Sequence, residues 1–182
     1  DFAAVASLVA NGLVLVVHPS SPFKDVKDLI GYARANPGKL TFASNGEGGF
    51  VHLSFELLRV QAGFTYLHIP YKGLAPSVID LISGQVDASM PTLASVAPHV
   101  RSGKLRILGT TNPMRLPQIA NVPTIAETVP GYESRGWFGF VAPVAVPGEV
   151  IVLLNREINR AMGLSDVREK IIAAGFTIDT GT

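Results

Sequence analysis

The chain has no cysteine in its 182 residues. That excludes a disulfide scaffold and thiol catalysis, and fits an exported bacterial protein and a cytosolic one equally. Charge is scarce too: Asp, Glu, Lys and Arg make up 16% of the residues and nearly cancel, at a formal net +1. Such a balance provides no basic field for nucleic acid and no polybasic patch for a membrane surface. With 47% hydrophobic residues, little of the chain can be a solvated tail. Residues 2–23 hold no charged side chain, a run nominally long enough to span a bilayer. Asn11-Gly12 splits it and His18-Pro19 closes it, however, so it reads as two buried strands joined by a turn. The N-terminus opens on Asp1 rather than a basic segment, which does not fit a signal peptide. No internal repeat or low-complexity tract is visible.

The pattern alternates strands with helices. Leu13 to Val17 reads as a buried strand, and Val26, Leu29, Ile30 and Ala33 as one helix face ended by Asn36-Pro37-Gly38. Leu53, Leu57 and Leu58 mark a second helix, Tyr66 to Ile69 a strand, and Val78, Ile79 and Ile82 a third helix. Gln85 to Met90 is a strand candidate, Ala94 to Val100 a short helix, and Leu105 to Thr110 another strand. Helical spacing returns at Val150, Leu153, Leu154 and Ile158, and at Val167, Ile171 and Ile172. This alternation predicts an α/β fold with a mostly parallel sheet flanked by helices, whose ligands bind outside the carboxyl ends of the strands.

The most informative stretch is residues 40–53, where a β-prone run, Leu40 to Ala43, breaks into a loop with three glycines in four positions. A helical pattern follows at once. Strand, glycine loop and helix together aim backbone N–H groups and the positive end of a helix dipole at one point, where an anion binds. A bare βα turn is the plain alternative. A dinucleotide site is the other, but the third glycine of that fingerprint falls on Val51, and Tyr66-Leu67-His68-Ile69 offers no acid for a ribose. No cofactor is expected. Ser44 and His52 suggest a hydrolase only weakly, because no G-x-S-x-G elbow accompanies them. His18, His52, His68 and His99 never stand at i,i+3 or i,i+4 to one another, so a metal site is not expected. His52 reads as structural, bonded to a backbone carbonyl, and Asp87 as a turn or cap residue.

Several blocks point to one family. Ala43-Ser44-Asn45-Gly46-Glu47-Gly48 with His52-Leu53 resembles the A-S-x-G-x-G…H-L segment of the tripartite tricarboxylate transporter substrate-binding proteins, the Bug or TctC family. Ile69-Pro70-Tyr71-Lys72-Gly73 is similar to its V-P-Y-K-G, and Leu81 to Asp87 to its L-x-x-G-x-V-D. Pro98 to Arg106 follows its P-H-I-x-S-G-K-L-R, Val122 to Glu127 its V-P-T-x-A-E, and Gly136-Trp137-Phe138-Gly139 with Ala142-Pro143 its G-W-x-G…A-P. The blocks run in family order over nearly the whole chain.

The resemblance implies a type II-like periplasmic binding fold of two lobes that close on a small carboxylate for delivery to membrane transporter subunits, in the periplasm and without catalysis. A ligand-sensing module of a regulatory system is the alternative. By the same resemblance the chain is a fragment lacking most of the first lobe. Residues 1–18 are then a first-lobe remnant and crossing strand, 19–135 the second ligand-binding lobe, and 136–182 a crossing strand and the return to the first lobe. Ser44, Asn45, Gly46, Glu47, Gly48, Gly49, Phe50, Tyr71, Lys72 and Thr92 are the expected ligand-binding residues. Lys72 reads equally as an anion contact or a surface charge.

Three departures bear on the ligand, and Glu47 complicates them. Asn45 stands where Ser is frequent, and its amide can both donate and accept. Gly49 stands where the family commonly has a hydroxyl residue. Met90-Pro91-Thr92 replaces a segment that often carries an acid able to hold a ligand ammonium. Glu47, a carboxylate in an anion loop, must point away or meet a cationic group.

Overall fold

The computed structural model describes residues 1–173 and 175–181. It divides into two compact units, Asp1–Asn11 with Arg135–Thr182, and Gly12–Ser134.

The larger unit is built on a five-stranded sheet. Its strands are β2 (Val14–Val17), β3 (Thr41–Ser44), β4 (Leu67–Pro70), β5 (Ala88–Ser89) and β6 (Arg106–Thr110), in the order β4-β3-β5-β2-β6. The neighbours β3–β4 and β3–β5 are parallel, and β2 runs antiparallel to both β5 and β6. Four strands therefore share one direction.

Helices α1 (Val26–Ala35), α2 (Phe50–Ala62), α3 (Leu74–Ile82) and α4 (Leu93–Arg101) cover both faces. The period of two along a strand sorts residues between them. Leu13, Leu15, Val17 and Phe42 pack with Val26, Leu29, Phe55 and Leu58 of α1 and α2, whereas Val14, Val16 and Ala43 pack with Val78, Leu81 and Val96 of α3 and α4.

Local chemistry sets the helix ends. The Asp25 side chain accepts from the Asp28 N–H and so caps α1, and Arg34 donates to the Ala62 carbonyl at the end of α2. At Thr124 a capping box opens the short 3₁₀ turn Ile125–Glu127. Glu127 in turn takes a bidentate pair of bonds from Arg115, at 2.8 and 2.6 Å.

The smaller unit holds a three-stranded sheet of β1 (Phe2–Gly12), β7 (Arg135–Pro143) and β8 (Thr177–Gly181), in the order β7-β1-β8. Helices α5 (Gly148–Met162) and α6 (Ser165–Ala173) complete it. Asn155 of α5 donates to the Val5 carbonyl of β1 at 2.7 Å. Trp137 and Phe138 lie within β7, and both are more than half exposed.

Three expectations are corrected. Asn11-Gly12 is not a turn between paired strands: both residues end β1, and β1 and β2 belong to different sheets. Gly12 is small because the Asn112 side chain lies against it, within 2.3 Å of where a Cβ would stand. Leu53 is 56% exposed, and α2 instead buries Val51, Ser54, Phe55, Leu58 and Ala62. The Phe55 ring stacks on Phe42 at 3.7 Å between centroids, which sets the helix's rotation. Finally, the strand expected over Gln85–Met90 narrows to Ala88–Ser89.

Candidate functional site

The parallel strands place three loops at one edge of the sheet. Ser44 pairs with Pro70 at the ends of β3 and β4, and Ala43 pairs with Ser89 at the end of β5. The loops that follow are Asn45–Gly49, Tyr71–Gly73 and Met90–Thr92, leading into α2, α3 and α4. All ten residues expected to bind ligand sit in these loops or at their ends. Three helix N-termini thus begin at this edge, two on one face of the sheet and one on the other.

The glycine loop is shaped by its backbone. Gly46 and Gly48 have φ of 141° and 70°, values that residues with a Cβ rarely adopt. Gly49 is the N-cap of α2 with an extended backbone, and no side chain caps the helix. The first-turn N–H groups of Phe50, Val51 and His52 have no helical acceptor. Not every loop N–H faces outward: Gly46 donates to Ser44 Oγ at 3.2 Å and Gly48 to His52 Nδ1 at 3.0 Å. Asn45, Glu47 and Gly48 are exposed, whereas Phe50 turns its ring onto the core beneath α1 and α2.

Ser44 is buried, its Oγ 2.7 Å from His68 Nε2 and 2.9 Å from the Gly46 carbonyl. His68 lies flat against His52, with ring centroids 3.9 Å apart and planes within 5°. Burial first, and then the neighbouring His52, push the His68 imidazole below the ordinary histidine range, against the opposing pull of Glu47 and Glu56. His52 therefore accepts from a backbone N–H; the expected bond to a backbone carbonyl is replaced because its Nδ1 reaches back to Gly48. Neither the His52–His68 stack nor the Ser44–His68 contact was readable as a site, since each depends on the pairing of β3 with β4. An alternating reading of strand β4 beside β3 is the signal that places His68 next to the loop.

The second and third loops contribute differently. Tyr71 donates its backbone N–H to the Ser44 carbonyl at 3.0 Å, and its carbonyl passes close to Gly46. Its hydroxyl turns to Asp80 of α3 at 2.6 Å, and burial, reinforced by that carboxylate, pushes it up to about 12. Lys72 is exposed. Thr92 is the N-cap residue of α4, its hydroxyl 3.2 Å from that of Ser95. Asp87 lies before β5 and accepts from both the N–H and the hydroxyl of Thr41, at 2.8 and 2.7 Å, which ties β5 to β3.

An open groove of about 660 Å³ on the same unit lies over α1, lined by Ile30, Tyr32, Arg34, Val129 and Pro130 among others, and includes none of the loop residues. Among the described residues no cluster of three or more His, Cys, Asp or Glu could hold a metal ion, and no helix is long and apolar enough to cross a membrane.

Comparison with known proteins gives this geometry a context. The family model described as the tripartite tricarboxylate transporter family receptor, TctC, matches residues 1–180. Protein BugT of Bordetella pertussis is 39% identical over 178 residues, 97% of this chain and 55% of that protein. A solved structure of R. palustris Rpa4515 with adipate superposes with a TM-score of 0.89 at 34% identity, over 100% of this chain and 61% of that one. MatC of Rhodopseudomonas palustris with bound malate superposes at 0.85 and 28% identity, over 97% of this chain and 60% of its own. The chain spans about half the length of the curated relatives it matches. The α/β fold expected from the alternation of elements is the fold of these binding proteins.

Proposed function

We propose, from the premise that this chain belongs to the tripartite tricarboxylate transporter receptor family, a family of substrate-binding proteins, that it captures a small carboxylate. The capture edge is the one where α2, α3 and α4 begin. The uncapped first turn of α2, behind the glycine loop and flanked by the starts of two further helices, carries the reading. Unpaired N–H groups and aligned dipoles favour an anion there without a cationic side chain. Relatives solved with adipate and malate support a carboxylate as that anion.

Within this reading Ser44, Asn45, Gly46, Glu47, Gly48, Gly49 and Phe50 form the loop that receives one carboxylate. Tyr71, Lys72 and Thr92 border it from the neighbouring loops. Residues 19–135, together with strand β2 of the same sheet, serve as the second, ligand-binding lobe, and the remaining flanks, 1–11 and 136–182, belong to the first lobe and its crossings. The protein works in the periplasm, hands its ligand to the membrane subunits of a tripartite tricarboxylate-type transporter, and carries out no reaction on it.

A thermal-shift screen of the purified protein against mono-, di- and tricarboxylates and amino acids tests the proposal. A ligand at a hundredfold excess over its Kd stabilises the native state by about 2.7 kcal/mol. That is a rise on the order of 5–10 °C for a protein of this size. Carboxylates that raise the midpoint by that much support the reading. A response confined to compounds without a carboxylate refutes it.

A further inference from the structure

We propose that His52 is a positioning residue for the glycine loop: its neutral Nδ1, by accepting the Gly48 N–H, holds the turn in the shape that presents the loop to a carboxylate. The inference deepens the reading of this edge as a carboxylate site and rests on it.

Gly48 donates to His52 Nδ1 at 3.0 Å, so in the neutral ring that nitrogen carries a lone pair and the proton sits on Nε2. His52 stacks on His68 at 3.9 Å, and His68 Nε2 meets Ser44 Oγ at 2.7 Å. Ser44 Oγ in turn accepts the Gly46 N–H. The two stacked rings therefore fasten the loop at two points, Gly46 through Ser44 and His68, and Gly48 through His52. The start of α2 adds no side-chain cap to these fastenings.

Protonation undoes the second fastening. A proton on His52 Nδ1 sets an N–H against the Gly48 N–H, donor against donor, and the bond cannot survive. The new charge would also stand in the first turn of α2, where the helix dipole opposes a cation. Across the stack it would face His68, which burial and His52 already hold toward its neutral form.

The charged groups around the pair are Glu47 from the loop, Glu56 on α2, and Arg59, which pairs with Glu56 at 2.8 Å. Tyr66 on the other side stands 6.4 Å from the His68 ring. Glu47 and Glu56 favour a charged imidazole, and Arg59 offsets part of Glu56. Two opposite outcomes follow from two roles. If His52 were a cationic contact to the ligand, acidification would strengthen carboxylate binding. As a positioning acceptor it must weaken it.

The experiment has two arms. In the ligand-free protein, the Gly48 amide is followed by ¹H–¹⁵N NMR from about pH 8 to pH 5, the span in which imidazoles as a class change charge. Its proton resonance should lie downfield at the alkaline end and move upfield as the acceptor is lost to a proton, and in His52→Asn that movement should be absent. In the second arm, the affinities for malate and adipate are measured over the same range. The wild type should lose about five- to tenfold in affinity on acidification, what one hydrogen bond is worth. His52→Ala should be weak throughout. His52→Asn, whose Oδ1 takes the place of Nδ1 and can accept the Gly48 N–H but cannot titrate, should restore most of the loss and flatten the pH profile at least threefold.

A Gly48 amide that ignores pH, tighter binding at low pH, or a His52→Asn profile like that of the wild type overturns the proposal. If neither dicarboxylate binds, the carboxylate reading is at fault, and the amide titration still decides whether His52 positions the loop.

Discussion

Replacing Gly48 with alanine isolates what the loop's backbone costs. Gly48 holds a φ of 70°, and a Cβ built there meets no atom within 4 Å. No steric clash contributes, so the whole penalty is the left-handed conformation, about 1–2 kcal/mol for a residue with a Cβ. For a protein of this size 1 kcal/mol shifts the melting midpoint by roughly 2–4 °C. Gly48→Ala should therefore melt about 2–8 °C lower in calorimetry. Gly48→Asn should lose less, since asparagine tolerates this region best among residues with a Cβ.

The neighbouring glycine supplies an internal control of opposite sign. Gly49 is extended, with φ of −75° and ψ of 169°, and its Cβ would make only ordinary contacts, 3.5 Å from Asn45 Oδ1 and 3.6 Å from the Gly46 carbonyl. Gly49→Ser adds the missing cap to α2 and should stabilise by a few tenths of a kcal/mol, roughly the difference between these residues at an N-cap. A Gly48→Ala protein that melts with the wild type, or a Gly48→Asn protein that melts no higher than Gly48→Ala, would show that the left-handed turn is not what glycine is needed for.

Other consequences are open to measurement. Phe55→Ala removes a fully buried ring stacked on Phe42 and should cost about 3–5 kcal/mol in urea unfolding; a loss under 1 kcal/mol, roughly what a mere surface change costs, would contradict the packing. Arg115 and the Thr124 N–H hold the Glu127 carboxyl down to about 2, below its ordinary 4.5. The stability this gives is complete above pH 4.5 and is lost as pH falls toward 2, so the gap between wild type and Arg115→Ala should close over that window. If the gap is constant with pH, the pair is not linked to Glu127's titration. With Pro91 and Thr92 where an acid could have held an ammonium, a dicarboxylate should bind at least as well as its α-amino analogue. A tenfold preference for the amine, about 1.4 kcal/mol, would point instead to Glu47 as its partner.

What was legible in the sequence was local. The spacing of Val26, Leu29, Ile30 and Ala33 specifies α1 from neighbouring residues alone, and the structure buries those four side chains. The strand, the glycines and the following helix likewise lie within 14 residues of one another, 40 to 53. Less legible was whatever a distant partner decides. Ser54 looks like a surface residue, yet its hydroxyl is satisfied by the Phe50 carbonyl and by Ser134, 80 residues on, so α2 can bury it and expose Leu53. Asp87 sits inside an apparent strand run, but its carboxylate is tied sideways to Thr41 and pairing begins only after it. His52 and His68 have no shared helical spacing, and the parallel register of β3 and β4 is what brings them together.

The order β4-β3-β5 explains why the anion-favouring groups gather where they do. From β3 the chain winds to β4 on one side and then returns past β3 to β5 on the other, so successive connections reverse direction at β3. At such a reversal the loops leaving neighbouring strands diverge to opposite faces and leave a crevice between them. Here α2 goes to one face while α3 and α4 go to the other, and the loop after β3 stands at the reversal itself. Several arginines of this unit are engaged elsewhere: Arg34 on the end of α2, Arg106 on the carbonyls of Pro19 and Phe23, and Arg115 on Glu127. What remains at the edge is mainly backbone, N–H groups and dipoles set by two glycines at positive φ and by the stacked rings of His52 and His68. Recognition built this way depends on the path of the chain more than on any one charge. Substitutions that preserve that path should then change affinity less than a single Cβ at Gly46 or Gly48.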